Sequence, residues 1–394
     1  MKILLLTQVL PYPPDSGPKI KTYNLIRYLA ARHEVTLVSF TRGNQSAEIA
    51  YLEKICHRVY TVPIRRSRSS EVIALAKSLF TGRPWIILRD ERKAMRELVA
   101  GLLHDEHFDA LHIDQLNMAQ FVEPFHQFHR VLDAHNALWV LYKRMAETTS
   151  NPIVRLMLQR EWRLLKVYEG EIGRSFTNVT AVSEEDRAAL IEAIGVDGKI
   201  STVPIAVDVE EITPLDRDPN ARHIVHIGTM FWPPNVDGIL WFAKEVYPRI
   251  KARLPEIAFD VIGARPPQSV LKLAGLGNDI HVVGYVADPS SYLRQAGVMV
   301  VPLRFGGGMR VKILTALAQA MPIVSTSIGC EGIGVENGRH LLVADTPEEF
   351  AACVQRLLEN RELAVELGRN GRRLIETVYD YRTAYRPLDQ VYTV

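Results

Sequence analysis

Three glycines, Gly306, Gly307 and Gly308, run directly into Met309-Arg310-Val311-Lys312. Before them stands an apolar run, Val298-Met299-Val300-Val301-Pro302, with the character of a short buried strand. After them comes a helix-like stretch over residues 310–320, which Pro322 stops. A glycine turn at a helix start aims free backbone N–H groups and the positive end of the helix dipole at one point. Arg310 and Lys312 place two cations in the first turn, where they oppose that dipole, so helix stability does not account for them. An anion does, and a diphosphate suits the site. Each feature alone has an ordinary reading, the glycines as a loop and the basic pair as a solvated face. Strand, glycine turn, basic helix, proline and strand in one unit favour the anion.

The surrounding elements alternate. Strand-like runs at 2–7 and 34–40 flank a helical run at 20–32, which is a βαβ unit. Further strands are expected at 58–62, 110–113, 130–133 and 178–182, with helices at 71–80, 91–104, 152–176 and 184–193. The pattern restarts at His223-Ile224-Val225-His226-Ile227-Gly228 and continues with strands at 258–262, 280–283, 298–302 and 322–326. Such alternation predicts an α/β fold of two doubly wound domains, each with a parallel sheet covered on both faces. The extended segment 203–208 is the expected hinge. The first domain is expected to span 1–205, with an aromatic tail at 379–394 packing back on it, and the second to span 206–378. A cleft between two such domains is the default ligand site.

A chain of 394 residues with 47% hydrophobic content has room for two cores. Its net charge of +2, with the first 205 residues at +4 and the remainder at −2, supplies no drive toward nucleic acid. Cys56, Cys330 and Cys353 share no motif spacing and read as buried thiols of a reducing compartment. Ile3-Leu4-Leu5-Leu6 is too short for a secretion signal, and no apolar run reaches membrane-spanning length. A cytoplasmic protein is expected. No metal-ligand spacing is evident among the 12 histidines.

Several stretches together carry a family resemblance. They are MKILLLTQVLPYPPDSGPKIKTYNLIRYLAARHEVTLVSF at the start, DAHN at 133–136, AVSEEDRAAL at 181–190 and HIGTMFWPPNVDGILWF at 226–242. VVGYVADPSSYLRQAGVMVVPLR at 282–304, the glycine–basic helix and YDYRTAY at 379–385 complete the set. In this order the chain resembles a GT-B glycosyltransferase, specifically the retaining, nucleotide-sugar-dependent family 4. The closest pattern is that of bacterial exopolysaccharide assembly. The resemblance implies transfer of a sugar from a nucleotide-diphosphate sugar to an acceptor hydroxyl, with no metal and no cofactor beyond that substrate. It implies that His135 lies near the transferring sugar and that Arg310 and Lys312 hold the diphosphate. It implies donor contacts at Gly17, at Gly284-Tyr285-Val286 beside the base, at Gly306-Gly307-Gly308-Met309, and at Thr315. By residue type alone His135 is equally a structural histidine, Gly17 a turn residue beside Pro18, and Tyr285 a core residue.

Two departures stand out. Family members usually carry two glutamates in this region, whose positions here fall on Gly307 and Thr315. The second normally accepts hydrogen bonds from the ribose hydroxyls, each worth about 1.5–3 kcal/mol, and threonine cannot make the bidentate contact. The basic pair often found after the strand at 226–228 is replaced by Trp232-Pro233-Pro234-Asn235. A nucleotide-sugar epimerase and a catalytically weakened binding partner therefore stand as alternative functions. The acceptor is expected to be a sugar or lipid-linked sugar. Arg65, Arg66, Arg68, Arg89, Arg92, Lys93, Arg96 and the basic residues of 152–176 fit either a solvated face or contact with an anionic membrane at the inner face of the cell.

Overall fold

The computed structural model describes residues 1–218, 220–275 and 279–392. It divides into two compact units. One contains Met1–Ala206, Gly307–Met309 and Tyr381–Val394, and the other contains Val207–Gly306 and Arg310–Asp380. The first tail residue assigned to the first unit is thus Tyr381, while the last two of the expected tail, Thr393 and Val394, lie outside the described residues.

The first unit is built on strands β1 (Lys2–Thr7), β2 (Glu34–Thr41), β3 (Arg58–Pro63), β4 (Ala110–Asp114), β5 (His129–Ala134), β6 (Asn178–Ala181) and β7 (Ile200–Thr202). Among the described residues they form one parallel sheet in the order β3-β2-β1-β4-β5-β6-β7. Ile3 to Leu6 on β1 are wholly buried, as a strand covered on both faces requires. Leu4 and Leu6 enter the core with Phe40, Ile113 and Phe121, while Ile3 and Leu5 enter the opposite core with Leu25, Tyr28 and Tyr385.

That second core explains the tail. Tyr385, Leu388, Val391 and Tyr392 are buried against helix Gly17–Ala30 and the β1–β2 face. Tyr28 Oη donates to Asp389 at 2.9 Å, and Asn178 Nδ2 donates to the Val391 carbonyl at 3.0 Å. The aromatic residues of the tail thereby complete the first unit.

The second unit carries β8 (His223–Ile227), β9 (Phe259–Ile262), β10 (Ile280–Gly284), β11 (Ala296–Val301), β12 (Ile323–Ser325) and β13 (Leu342–Val343), in the order β10-β9-β8-β11-β12-β13 and again parallel. Phe242, Phe259 and Phe350 centre its core, the first two rings 4.8 Å apart. In each sheet the strand order reverses once, at β1/β4 and at β8/β11. Open parallel sheets bind ligands beyond the carboxyl ends of strands at such points.

Candidate functional site

In the first unit, buried polar groups crowd the carboxyl ends of β4 and β5. Asp114 ends β4, and both its oxygens lie 3.1 Å from the Thr22 hydroxyl, which also donates to the Pro18 carbonyl. His135 follows β5. Its Nε2 is 2.8 Å from Asp114 Oδ1, and its Nδ1 faces the Gln115 amide at 3.3 Å. Behind them Asp133 pairs with Lys21, which is 1% exposed, and accepts from Thr180 at 2.7 Å. Burial opposes ionisation of Asp133, but the Lys21 ammonium, with the His112 ring 3.5 Å away, outweighs it and holds the carboxyl well below its ordinary range.

The turn after His135 is equally fixed. Asp186 accepts from the Ala137 N–H at 2.8 Å, and Glu169 accepts from the Leu138 and Trp139 N–H groups at 2.9 Å each. These bonds satisfy the open donors at the start of helix Leu138–Thr148. Both ring nitrogens of His135 are thus engaged by protein groups, which suits it to hold a position.

Asp114, Asp133 and His135 each offer a ligand atom within 4.8 Å of the others. No ligand spacing marks this grouping in the sequence, because its members are spread over two strands. Lys21 and Thr22 already occupy their carboxylates.

In the second unit the site lies at the β8/β11 switch point. Lys312 sits in the first turn of helix Val311–Ala318 and is part-buried. Its ammonium donates to Asn235 Oδ1 at 2.9 Å and lies 3.4 Å from His226 Nε2. His226 Nδ1 lies 2.9 Å from the Val300 carbonyl, so Nδ1 carries the proton and Nε2 is left as an acceptor. Burial, followed by the Lys312 charge, drives the His226 pKa well below its ordinary value. Burial and then the neighbouring Arg310 push Lys312 down to about 7. Both polar partners of the ammonium among the described residues are neutral.

The glycine beside it is required. A Cβ on Gly228 would lie 2.5 Å from Lys312 Nζ and 2.9 Å from Asn235 Nδ2. Arg310 does not belong to the helix as expected. It is the residue preceding it, with φ −93° and ψ 94°, and the helix ends at Ala318 because Ala320 turns left-handed at φ 57°. The Arg310 guanidinium reaches the Ile328 carbonyl at 3.4 Å and lies against Gly306, where a Cβ would approach Nη2 to 2.7 Å.

The remaining predicted positions fall as follows. Gly17 opens helix Gly17–Ala30. Gly284 ends β10 with φ 81°, Tyr285 after it is 65% exposed and so is no core residue, and Val286 is half-buried. Gly307 and Gly308 group with the first unit, Gly308 so close to His135 that a Cβ would lie 2.9 Å from its carbonyl oxygen. Met309 is buried, its sulfur accepting from the Ile205 N–H at 3.3 Å. Thr315 lies one turn beyond Lys312 on the same helix face and is half-buried. Cys353, expected to be buried, is only half-buried.

Sequence reasoning missed Asp114, Lys21, His226 and Asn235. The His226–Gly228 strand end and the Asn235 that stands in place of the family's basic pair were visible, but nothing local joined them to Lys312.

Comparison with known proteins bears on the whole chain. A family model described as "Glycosyltransferase Family 4" matches residues 17–211, and one described as "Glycosyl transferases group 1" matches residues 221–360. A Klebsiella pneumoniae protein, described as an uncharacterized 44.6 kDa protein in the cps region, is 22% identical over 396 residues, covering 98% of each chain. Sucrose-phosphate synthase from Thermosynechococcus elongatus superimposes with a TM-score of 0.73 at 17% identity, over 100% of this chain and 98% of that one. Anabaena HepE in complex with UDP-glucose gives 0.68 at 15% identity, over 99% and 98%. With both halves matched by glycosyltransferase families and both sheets in the Rossmann-like arrangement of that fold, the chain belongs to the family 4-like glycosyltransferases of the GT-B class.

Proposed function

We propose that this enzyme is a retaining glycosyltransferase that moves a sugar from a nucleoside-diphosphate sugar to an acceptor hydroxyl, in the assembly of a bacterial exopolysaccharide or glycolipid. The observation that carries the reading is Lys312, an ammonium held by the neutral Asn235 and His226 at the mouth of the second sheet, with the Arg310 guanidinium acting on it electrostatically. Two cations at a helix start suit a leaving diphosphate, whose charge grows as the glycosidic bond breaks. Fixed cations take the part that a metal plays elsewhere, so transfer is expected to survive chelation. Tyr285, exposed after β10, offers a ring to the base, and Thr315 stands at the ribose position.

On the acceptor side, His135 presents its ring edge beside the sugar while Asp114 and Gln115 fix its plane. The acceptor is a sugar or lipid-linked sugar, a reading supported by the cps-region relative. Because both matched families are transferases, an epimerase or an inactive partner is the less favoured reading.

The test is titration of the full chain with a panel of nucleotide sugars, followed by product analysis. Transfer or slow donor hydrolysis, with retained anomeric configuration and in the presence of chelator, supports the reading. Appearance of an isomerised donor identifies an epimerase instead, and absence of binding identifies an inactive partner.

A further inference from the structure

Two helices of the first unit carry exposed apolar side chains. On helix Arg68–Thr81, Val72, Ile73, Leu79 and Phe80 are exposed, Phe80 to 91%. Their spacing places Val72 with Leu79 and Ile73 with Phe80 on one side, opposite the buried Ala74 and Ser78. At the start of helix Pro152–Ser175, Ile153, Val154, Leu156 and Met157 are exposed, Ile153 to 71%, and every residue from 151 to 157 lies open.

The two sets are neighbours. Arg160 donates to the Ser78 hydroxyl at 2.9 Å and to the Ser78 carbonyl at 2.7 Å. Leu156 and Met157 precede Arg160 by about one helical turn. Both helices are locally closed. Ser67 and Ser70 form a reciprocal cap, Gly82 ends the first helix at φ 70°, and Asn151 accepts from the Ile153 and Val154 N–H groups at 3.0 and 3.2 Å. The apolar ends are therefore presented by fixed structure.

Charge decides what covers them. Residues 65–83 and 151–160 together hold seven basic residues and one acid, Glu71, in a chain whose total is only +2. Arg66, Lys77 and Arg83 are balanced by Asp90, Glu91 and Glu123. Arg65, Arg68 and Arg155 are exposed and enter no ion pair among the described residues. Glu71 turns one carboxylate oxygen inward, fully buried. Protruding apolar tips among uncompensated guanidinium groups complement an anionic lipid surface, which receives the tips between acyl chains and the cations among headgroups.

We infer that this face of the first unit seats the protein on an anionic bilayer, through the 68–81 helix and the start of the 152–175 helix. The inference goes beyond the transfer reading and does not depend on it, since seating needs no donor.

The test is flotation of the full chain with phosphatidylcholine vesicles and with an equal mixture of phosphatidylcholine and phosphatidylglycerol. Wild type is expected to float with the mixed vesicles and to be released by high salt. Phe80→Ser combined with Leu156→Ser should cut partitioning by about tenfold or more. Arg65→Gln, Arg68→Gln and Arg155→Gln together should abolish the preference for the anionic mixture. Unchanged circular dichroism and nucleotide-sugar titration show that the variants are folded and keep lipid seating separate from donor binding. Wild type left in the supernatant with both vesicle types, or variants that float like wild type, overturn the inference. A wild-type dimer that the Phe80→Ser, Leu156→Ser variant dissolves overturns it in favour of a second copy.

Discussion

Lys312 shares its ammonium between two neutral partners, so its charge depends on what else occupies the site. Its pKa near 7 means that above neutrality the free enzyme has largely lost that proton, and an incoming diphosphate restores it. Donor binding should therefore take up a proton above pH 7 and weaken as pH rises. Calorimetry in buffers of different ionisation enthalpy reads the uptake, and Lys312→Arg should remove it. Between about 7 and the ordinary lysine value of 10.5 the unfolded chain holds the proton that the folded one has released, so stability rises with pH across that window. Arg310→Ala and Lys312→Ala should each weaken nucleoside-diphosphate binding by about 1–3 kcal/mol, while a nucleoside without phosphates is affected far less. Equal losses for both ligands would assign the two residues to the fold. Thr315→Glu tests the ribose position. It should tighten the donor, and less so for a 2′-deoxy donor, because the restored carboxylate then lacks one hydroxyl partner. A double-mutant cycle between side chain and hydroxyl that returns zero coupling would falsify that placement.

The glycines separate structural from functional need at the scale of elements. A Cβ on Gly228 meets side-chain atoms, the ends of Lys312 and Asn235 and the buried His226 ring at 3.1 Å, whereas a Cβ on Gly238 meets the Pro302 carbonyl oxygen at 2.4 Å, which is backbone. Gly228→Ala should thus displace Lys312, with loss of diphosphate affinity, at a smaller cost in melting temperature than Gly238→Ala. Gly238→Ala should prise helix Pro233–Trp241 from the end of β11 and cost about 1–3 kcal/mol of stability by denaturant titration. The same contrast shows what the amino-acid order discloses. β1 and β11 were legible because a strand buried on both faces is a continuous apolar run, and helix 152–175 because its cap and period are local. β7 and β13, of three and two residues, carry too few side chains for any pattern. Arg310 was read as helical because an extended residue before a helix and the first helical residue look alike without backbone angles. The glycine–basic turn was legible as a candidate for anion binding, but the cradle of Lys312 was not, since Asn235 and His226 lie 77 and 86 residues away. Asp114 was missed for a like reason, its partners Thr22 and His135 standing 92 and 21 residues off.

The first unit of the molecule is discontinuous, and its second core depends on residues 381–392. Tyr385 is wholly buried there, its ring 5.8 Å from Tyr28 in edge-on contact, and its hydroxyl donates to the Lys21 carbonyl at 3.3 Å. Tyr385→Ala leaves a ring-sized void and should cost about 3–5 kcal/mol in the stability of this unit. Lys21 follows the ring in the same network and pairs with Asp133 behind His135, so the variant should also lower transfer more than donor binding. Differential scanning calorimetry with and without nucleotide tests both parts, because a nucleotide held by the second unit should leave the shifted first-unit transition in place.

Chain order gives the tail a consequence in time. During synthesis β1 to β7 emerge first, yet the residues that close one of their two cores leave the ribosome only after Asp380, when the whole second unit is already available to fold. The earlier half must wait with Ile3, Leu5, Leu25 and Tyr28 open on one side, and the later half can mature ahead of it. Nascent chains halted with residue 380 outside the ribosome should therefore show a protease-resistant second unit beside a digestible first one, and resistance of the first should appear once residue 392 has emerged.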